Sequence, residues 1–391
     1  IYFGEFGYQY KDLIIGSHFL TTGNHDFISQ TILDVNHKDR VMTAKYIPDG
    51  TGEISGLTLR NGAASSGAGI NIQHSNLWIH DVIIDSCSAT GNGGGINLDS
   101  SSIVQLDHVT VQNCSASNGG GIYTNCTLFE MNYSIITANN ANSGGGILVR
   151  RYSPNIYRTL IENNTANNGA AIYVNGWSGN ANPLFNHCVI TENIATSSDG
   201  GLRLGYTANP IIMNSILWNN QPNEVGFMNN TIQKSIVFLN SDVTGGLSSM
   251  PIDDDFDLYW LSGNFDQAPQ FVTGPSGDYE LAESSPCIDT GIQDTTIYYN
   301  EGELELIVPA QYFVNTAPDV GIWESGMEMD CIVGDINQDD EFNVLDIILV
   351  VNIILEFINP DDYQICSADL NADLQINILD VVALVDLILE S

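Results

Sequence analysis

Gly93-Gly94-Gly95-Ile96, Gly119-Gly120-Gly121-Ile122 and Gly144-Gly145-Gly146-Ile147 are one tetrapeptide met three times, at intervals of 26 and 25 residues. Gly67-Ala68-Gly69-Ile70 precedes them, and weaker copies end at Ile172 and Leu202, the last stretched to 30 residues by a loop around Gly176-Trp177-Ser178-Gly179-Asn180. A fixed period in the twenties marks a solenoid. After each glycine cluster apolar residues alternate, as in Ile70/Ile72, Ile96/Leu98, Ile147/Val149, Ile172/Val174 and Leu202/Leu204, which is the period of a strand. A second apolar column follows at Ile84, Val111, Ile136 and Ile161, and the intervening residues are turn formers. Coils stacked at the strand spacing of about 4.8 Å set equivalent residues above one another. Asn113, Asn139, Asn163, Asn193 and Asn219 are therefore expected to form one ladder of stacked amides.

Charge divides the chain. All ten Lys and Arg lie at or before Lys234, with 16 of the 47 acids, so the remaining 157 residues carry 31 acids and no base. Such a field repels nucleic acid and anionic membranes and attracts cations. No stretch reaches the roughly 20 apolar residues of a membrane helix. The opening Ile1-Tyr2-Phe3-Gly4 reads as strand interior, the expectation for a mature or trimmed chain. Seven cysteines show no zinc-type CxxC spacing, and an extracellular location fits them. Cys87 and Cys114 fall at one azimuth of neighbouring coils, as a disulfide or as an unlinked stack.

The run from Ser29-Gln30-Thr31-Ile32 through the Gly-Gly-Gly-Ile repeats to Ser215-Ile216-Leu217-Trp218-Asn219-Asn220 resembles the bacterial right-handed β-helix repeat proteins, which are similar to pectin-lyase-like folds and polymorphic outer-membrane protein repeats. Ser285-Pro286-Cys287-Ile288-Asp289-Thr290-Gly291 and Asp319-Val320-Gly321 resemble the irregular final coils of that family. The resemblance implies an all-β right-handed parallel β-helix, with coils over 1–233 and irregular coils and a cap over 234–326. The fold hosts lyases, hydrolases, adhesins and inert scaffolds, so it does not by itself assign a reaction.

Residues 327–391 read differently. Asp335-Ile336-Asn337-Gln338-Asp339-Asp340-Glu341-Phe342-Asn343-Val344-Leu345-Asp346 is matched 34 residues on by Asp369-Leu370-Asn371-Ala372-Asp373-Leu374-Gln375-Ile376-Asn377-Ile378-Leu379-Asp380. Oxygen donors at positions 1, 3, 5 and 12, with a carbonyl at 7, suit a hard Ca²⁺ ion. Apolar helices are expected after the loops, over 347–355 and 381–389. The arrangement resembles type I dockerin modules, EF-hand-like loop-helix repeats that bind two calcium ions and dock onto cohesin domains. Carried over, the ligands are Asp335, Asn337, Asp339, Glu341 by its carbonyl, Asn343 and Asp346, and then Asp369, Asn371, Asp373, Gln375 by its carbonyl, Asn377 and Asp380. The turn position that usually holds Gly is Asp340 in one loop and Leu374 in the other. The Ser/Thr pair of cellulosomal dockerins is replaced by Val344-Leu345 and Ile378-Leu379. Cys331 and Cys366, four and three residues ahead of the loops, are expected to pair across the pseudo-symmetric module. Its helices are apolar nearly all round, so they either cover the β-helix or present a docking surface.

On the β-helix, Tyr123, Arg150, Tyr173 and Arg203 line one outward face with Arg151 nearby and form the candidate glycan platform. No patterned Asp or Ser accompanies His80, His108 and His187, which read as turn residues, and Asp253-Asp254-Asp255 reads as a solvated loop. These features point to a secreted or cell-surface binding or structural protein, attached or assembled through calcium. Its partner is a cohesin-like or other protein met by the C-terminal helices, a polysaccharide or copies of itself. The alternatives are a polysaccharide lyase or glycoside hydrolase carrying a dockerin, and a self-assembling extracellular fibre subunit.

Overall fold

The protein was analysed as a computed structural model, which describes all residues except 1–5, 10–13, 23–24, 48–51, 100–101, 178, 275–276, 300–301, 308–316, 326–332, 338–341, 356, 358–359, 361–363, 365–366, 372–374 and 391. One turn of the chain shows how the sequence builds the rest. Ile122–Thr124 forms a strand, Leu128–Asn132 a second, Ile135–Thr137 a third and Asn140–Ser143 a fourth, and Ile147–Val149 then lies directly over Ile122–Thr124. Each of these strands pairs in parallel, in register, with its equivalents one coil before and after. Among the described residues the first face is a sheet of nine strands from Phe6–Gln9 to Val225–Phe227, and the fourth a sheet of six. The two apolar columns of the sequence, from Ile70 to Leu204 and from Ile84 to Ile161, point inward and are fully buried.

Corners are single residues in the left-handed region. Gly56, Asp81, His108, Tyr133, Arg158, His187, Asn214 and Asn240 stand over one another between the second and third strands, with φ of 42–65°. Asn61, Ser86, Asn113, Ala138, Asn163, Glu192 and Asn219 make the next corner, at 51–58°. His108 and His187 are thus turn residues, and His80 sits one place before the turn at Asp81. The glycine triplets serve a third corner. Gly93, Gly119 and Gly144 hold φ of 62–65°, and a Cβ on the middle Gly120 would lie 2.4 Å from the carbonyl oxygen of Gly145 in the next coil.

The asparagine ladder differs from the expected one. Asn113, Asn163 and Asn219 are left-handed corner residues, whereas the buried amides are Asn139, Asn164, Asn193 and Asn220 one position later. Asn139 Nδ2 donates to Asn164 Oδ1 (3.0 Å), Asn164 to Asn193 (3.0 Å) and Asn193 to Asn220 (2.8 Å), and each also donates to a strand carbonyl of the coil before. Cys87 and Cys114 occupy the same column in the earlier coils. They are free thiols, and the single S–H of Cys114 lies within reach of the carbonyls of Gln112 (3.2 Å) and Ile84 (3.8 Å).

Glu224 ends the ladder, accepting from the Asn220 backbone N–H (3.0 Å) and from its side-chain amide. Burial pushes its carboxyl up to about 7. Asp242, which accepts from the Gln267 N–H and the Cys287 thiol, is pushed to about 7 by the same cause. A folded-state value above the unfolded one means that the native protein holds protons the unfolded chain releases. The Glu224 contribution is therefore complete below about pH 4.5 and that of Asp242 below about pH 3.8, and both are lost as pH rises through 7. Glu224→Gln is expected to remove up to about 3 kcal/mol of that pH dependence, leaving the Asp242 share, as read by urea unfolding at pH 5 and pH 7.5.

Lys234–Leu239 and Phe256–Trp260 add further strands to the second face. The chain then turns back along the flank. The antiparallel pair Phe271–Gly274 and Gly277–Leu281, with Cys287, Val320 and Ile322, covers the outward side chains of Leu160, Val189 and Ile216. Near the start, α1 (Phe19–Thr22) and α2 (Asp26–Gln30) take the place of one corner. The C-terminal module contributes α3 (Val344–Ile354) and α4 (Ile378–Glu390), and α4 lies against α1 as well as α3. Both helices begin three residues before their expected starts, because Asn343 and Asn377 accept from Leu345 and Leu379 N–H (2.8 Å each) and cap them. Among the described residues no helix is long and apolar enough to cross a membrane.

Candidate functional site

The two C-terminal loops fold around their last residue. Asp346 Oδ1 accepts from the N–H groups of Ile336 (2.9 Å) and Asn337 (3.2 Å), and Oδ2 from that of Asn343 (3.0 Å). Asp380 repeats this bond for bond, with Leu370 (3.0 Å), Asn371 (3.4 Å) and Asn377 (2.8 Å). The position-12 carboxylate thereby ties positions 2, 3 and 9 of each loop together. Ile336 at position 2 packs into a small core with Val350, Ala368 and Leu384. Asp335, Asp346 and Asp380 are fully buried, in a module whose sequence holds no base. Burying carboxylates without an offsetting charge is costly, and an all-oxygen donor set fits a divalent hard cation. Of the candidate ligands, Asp339, Glu341 and Asp373 lie outside the described residues, as do Cys331 and Cys366. Gly334 N–H donates to the Ser367 carbonyl (2.8 Å), joining the segments just ahead of the two loops.

The nine-stranded face carries a second feature. Tyr123, Leu148, Tyr173 and Arg203 stand in one outward column, each directly paired with the next. Tyr123, Leu148 and Tyr173 are nonetheless buried, packed with Met228. Beside them a cleft of about 190 Å³ is lined by Asn118, Tyr123, Leu148, Arg150, Asn175, Trp177, Tyr206 and Met228. Arg150 Nη1 donates to the Tyr123 hydroxyl (3.2 Å), and Trp177 meets Tyr206 edge to face at 4.5 Å. Tyr123 and Arg150 of the expected platform therefore share the cleft. Arg203 is held elsewhere, donating to Asp199 (2.6 Å) and Ser198, and burial raises the phenol of Tyr173 beside it. Trp177, Tyr206 and Met228 were not expected. The one trace of them in the sequence is the lengthened repeat that contains Trp177.

None of the described residues lining that cleft is a carboxylate, and among the described residues no three His, Cys, Asp or Glu side chains are grouped to hold a metal ion. The Asp253-Asp254 run is exposed, and Asp253 caps a turn by accepting from Asp255 N–H.

Comparison with known proteins agrees with this geometry. The family described as right handed beta helix region matches residues 41–204, and the dockerin type I domain family matches 333–389, which spans both loops and both helices. Among solved structures the chain is similar to pectate lyase Pel9A, at 13% identity over 73% of this chain and 88% of that one, with a TM-score of 0.29. No curated protein sequence matches the chain. The chain is a parallel β-helix protein with a type I dockerin module in its C-terminal part.

Proposed function

We propose that this chain is an extracellular glycan-binding protein, held in place by its dockerin module when that module is loaded with two calcium ions. The observation that carries the reading is the bond-for-bond repetition of the Asp346 loop by the Asp380 loop. Positions 1, 3, 5, 9 and 12 of each loop supply side-chain oxygens, and Glu341 and Gln375 supply carbonyls. The Gly334–Ser367 bond supports a Cys331–Cys366 disulfide that ties the half-sites together. Val344, Leu345, Ile348, Ile378 and Val382 are exposed apolar residues on the two helices, and they form the surface for a cohesin-type partner.

The cleft at Trp177 is the glycan site. Trp177 and Tyr206 offer ring faces to a sugar, Arg150 meets a uronate carboxyl, and Asn118 and Asn175 meet hydroxyls. Hydrolysis of a glycosidic bond ordinarily takes two carboxylates, and none of the described residues lining this cleft is one, which favours binding over hydrolysis. With excess chelator, capture of the protein by a panel of cohesin modules is expected to be lost and restored by calcium. Trp177→Ala is expected to weaken binding of trigalacturonate while leaving that capture intact. Capture undiminished in chelator would rule out the calcium-dependent attachment.

A further inference from the structure

We infer that the second face of the β-helix holds a separate glycan site, which takes a neutral sugar ring on Trp78. Ile14, Glu53, Trp78 and Gln105 are paired directly across four consecutive strands, so their side chains leave the same side of the sheet. They line a cleft of about 400 Å³ together with Asn76, Leu77 and Ile103. This sheet is not the one that bears Arg150 and Trp177.

The floor of the cleft is fixed by a closed set of hydrogen bonds. Trp78 Nε1–H donates to Asp107 Oδ2 (2.8 Å), and Asp107 also accepts from Gln105 Nε2 (2.9 Å) and Asn132 Nδ2 (2.9 Å). The indole stacks on the His80 ring at 4.0 Å. His80 in turn sits between two carboxylates, Asp81 Oδ2 at Nδ1 (2.8 Å) and Glu53 Oε1 at Nε2 (3.2 Å). Burial works against protonation of this ring, but the two carboxylates outweigh it and raise its basicity, and the bond at Nε2 holds Glu53 at the cleft wall. A platform whose rotamers are set before a ligand arrives loses little entropy on binding.

The lining selects the ligand class. Ile14, Leu77, Trp78 and Ile103 give an apolar floor, whereas Glu53, Asn76 and Gln105 give a rim of acceptors and amide donors. No Lys or Arg is among these residues, and Glu53 at the wall repels a uronate. A wholly apolar ligand would strip water from Glu53 and Gln105 with nothing in return. A pyranose with a C–H face for the indole and hydroxyls for the rim satisfies both. The site does not depend on the Arg150 cleft, and with that cleft it would let one rod hold an acidic and a neutral polysaccharide at once.

The test titrates the full chain with cellohexaose, xylohexaose, mannohexaose and trigalacturonate by calorimetry. At least one neutral hexasaccharide is expected to bind, with affinity falling about tenfold or more in Trp78→Ala and several-fold in Gln105→Ala and Glu53→Gln, and unchanged in Trp177→Ala. Circular dichroism checks folding, and if Trp78→Ala unfolds, the exposed Gln105 position decides. Absence of binding by all three neutral hexasaccharides, or equal affinities in wild type and Gln105→Ala, overturns the inference. Loss of trigalacturonate binding in Trp177→Ala alone reports on the other cleft.

Discussion

Asp346→Ala is expected to abolish calcium binding in the first loop and to unfold that half of the module. The carboxylate gathers three backbone N–H groups, from Ile336, Asn337 and Asn343. Alanine leaves the three without their acceptor and removes a charge from the proposed ion site. Breaking such a buried charged contact costs about 3–5 kcal/mol, more than two short helices can spare. Asp380→Ala is expected to do the same in the second loop, because the bonds there are equivalent. Calorimetry should count two calcium ions on the wild type, one on either variant and none on the double variant, with helical ellipticity falling in step. Two ions still bound to Asp346→Ala would remove position 12 from the ligand set.

Asn164→Ala is the second large effect expected. Asn164 Oδ1 accepts from the backbone and side-chain N–H of Asn139, and its amide donates to the Ile136 carbonyl and to Asn193. The residue is fully buried, so truncation leaves the Asn139 backbone N–H without its acceptor and takes a donor from the Ile136 carbonyl inside the rod. At about 1–3 kcal/mol for each unpaired group, the loss is expected to reach about 3–5 kcal/mol. The preceding Asn163 is the control. It is an exposed corner residue with φ of 51°, and Asn163→Ala is expected to cost about 1–2 kcal/mol, the penalty of a Cβ in the left-handed region. Urea unfolding of the two variants separates the roles, and equal losses would show that the amides do not act as a ladder.

These adjacent asparagines also show where the sequence stops being legible. Gly119-Gly120-Gly121 announces itself because its first residue needs a positive φ and its second lies against a neighbouring coil's carbonyl, and glycine meets both demands with least strain. The ladder column is chemically mixed, Cys87 and Cys114 giving way to Asn139, so a reader following asparagine alone slides by one residue into the corner column. The dockerin loops are legible for a different reason. Their donors lie within 12 consecutive residues, and spacing along the chain is itself the geometry. The clefts are the opposite case. Trp177, Tyr206 and Met228, or Glu53, Trp78 and Gln105, meet only through register between coils, and no local pattern marks them beyond the extra length around Trp177.

The one-residue corners have a further consequence. Since every turn of the rod presents the same set of seats to the turns on either side, the unit of change is the whole turn. Duplication or loss of some 25 residues would lengthen or shorten the protein by about 4.8 Å while leaving every remaining seat matched. Loss of a single residue would instead shift all that follow. Such a molecule can be graded in length like a ruler, in whole steps that gene rearrangement sets.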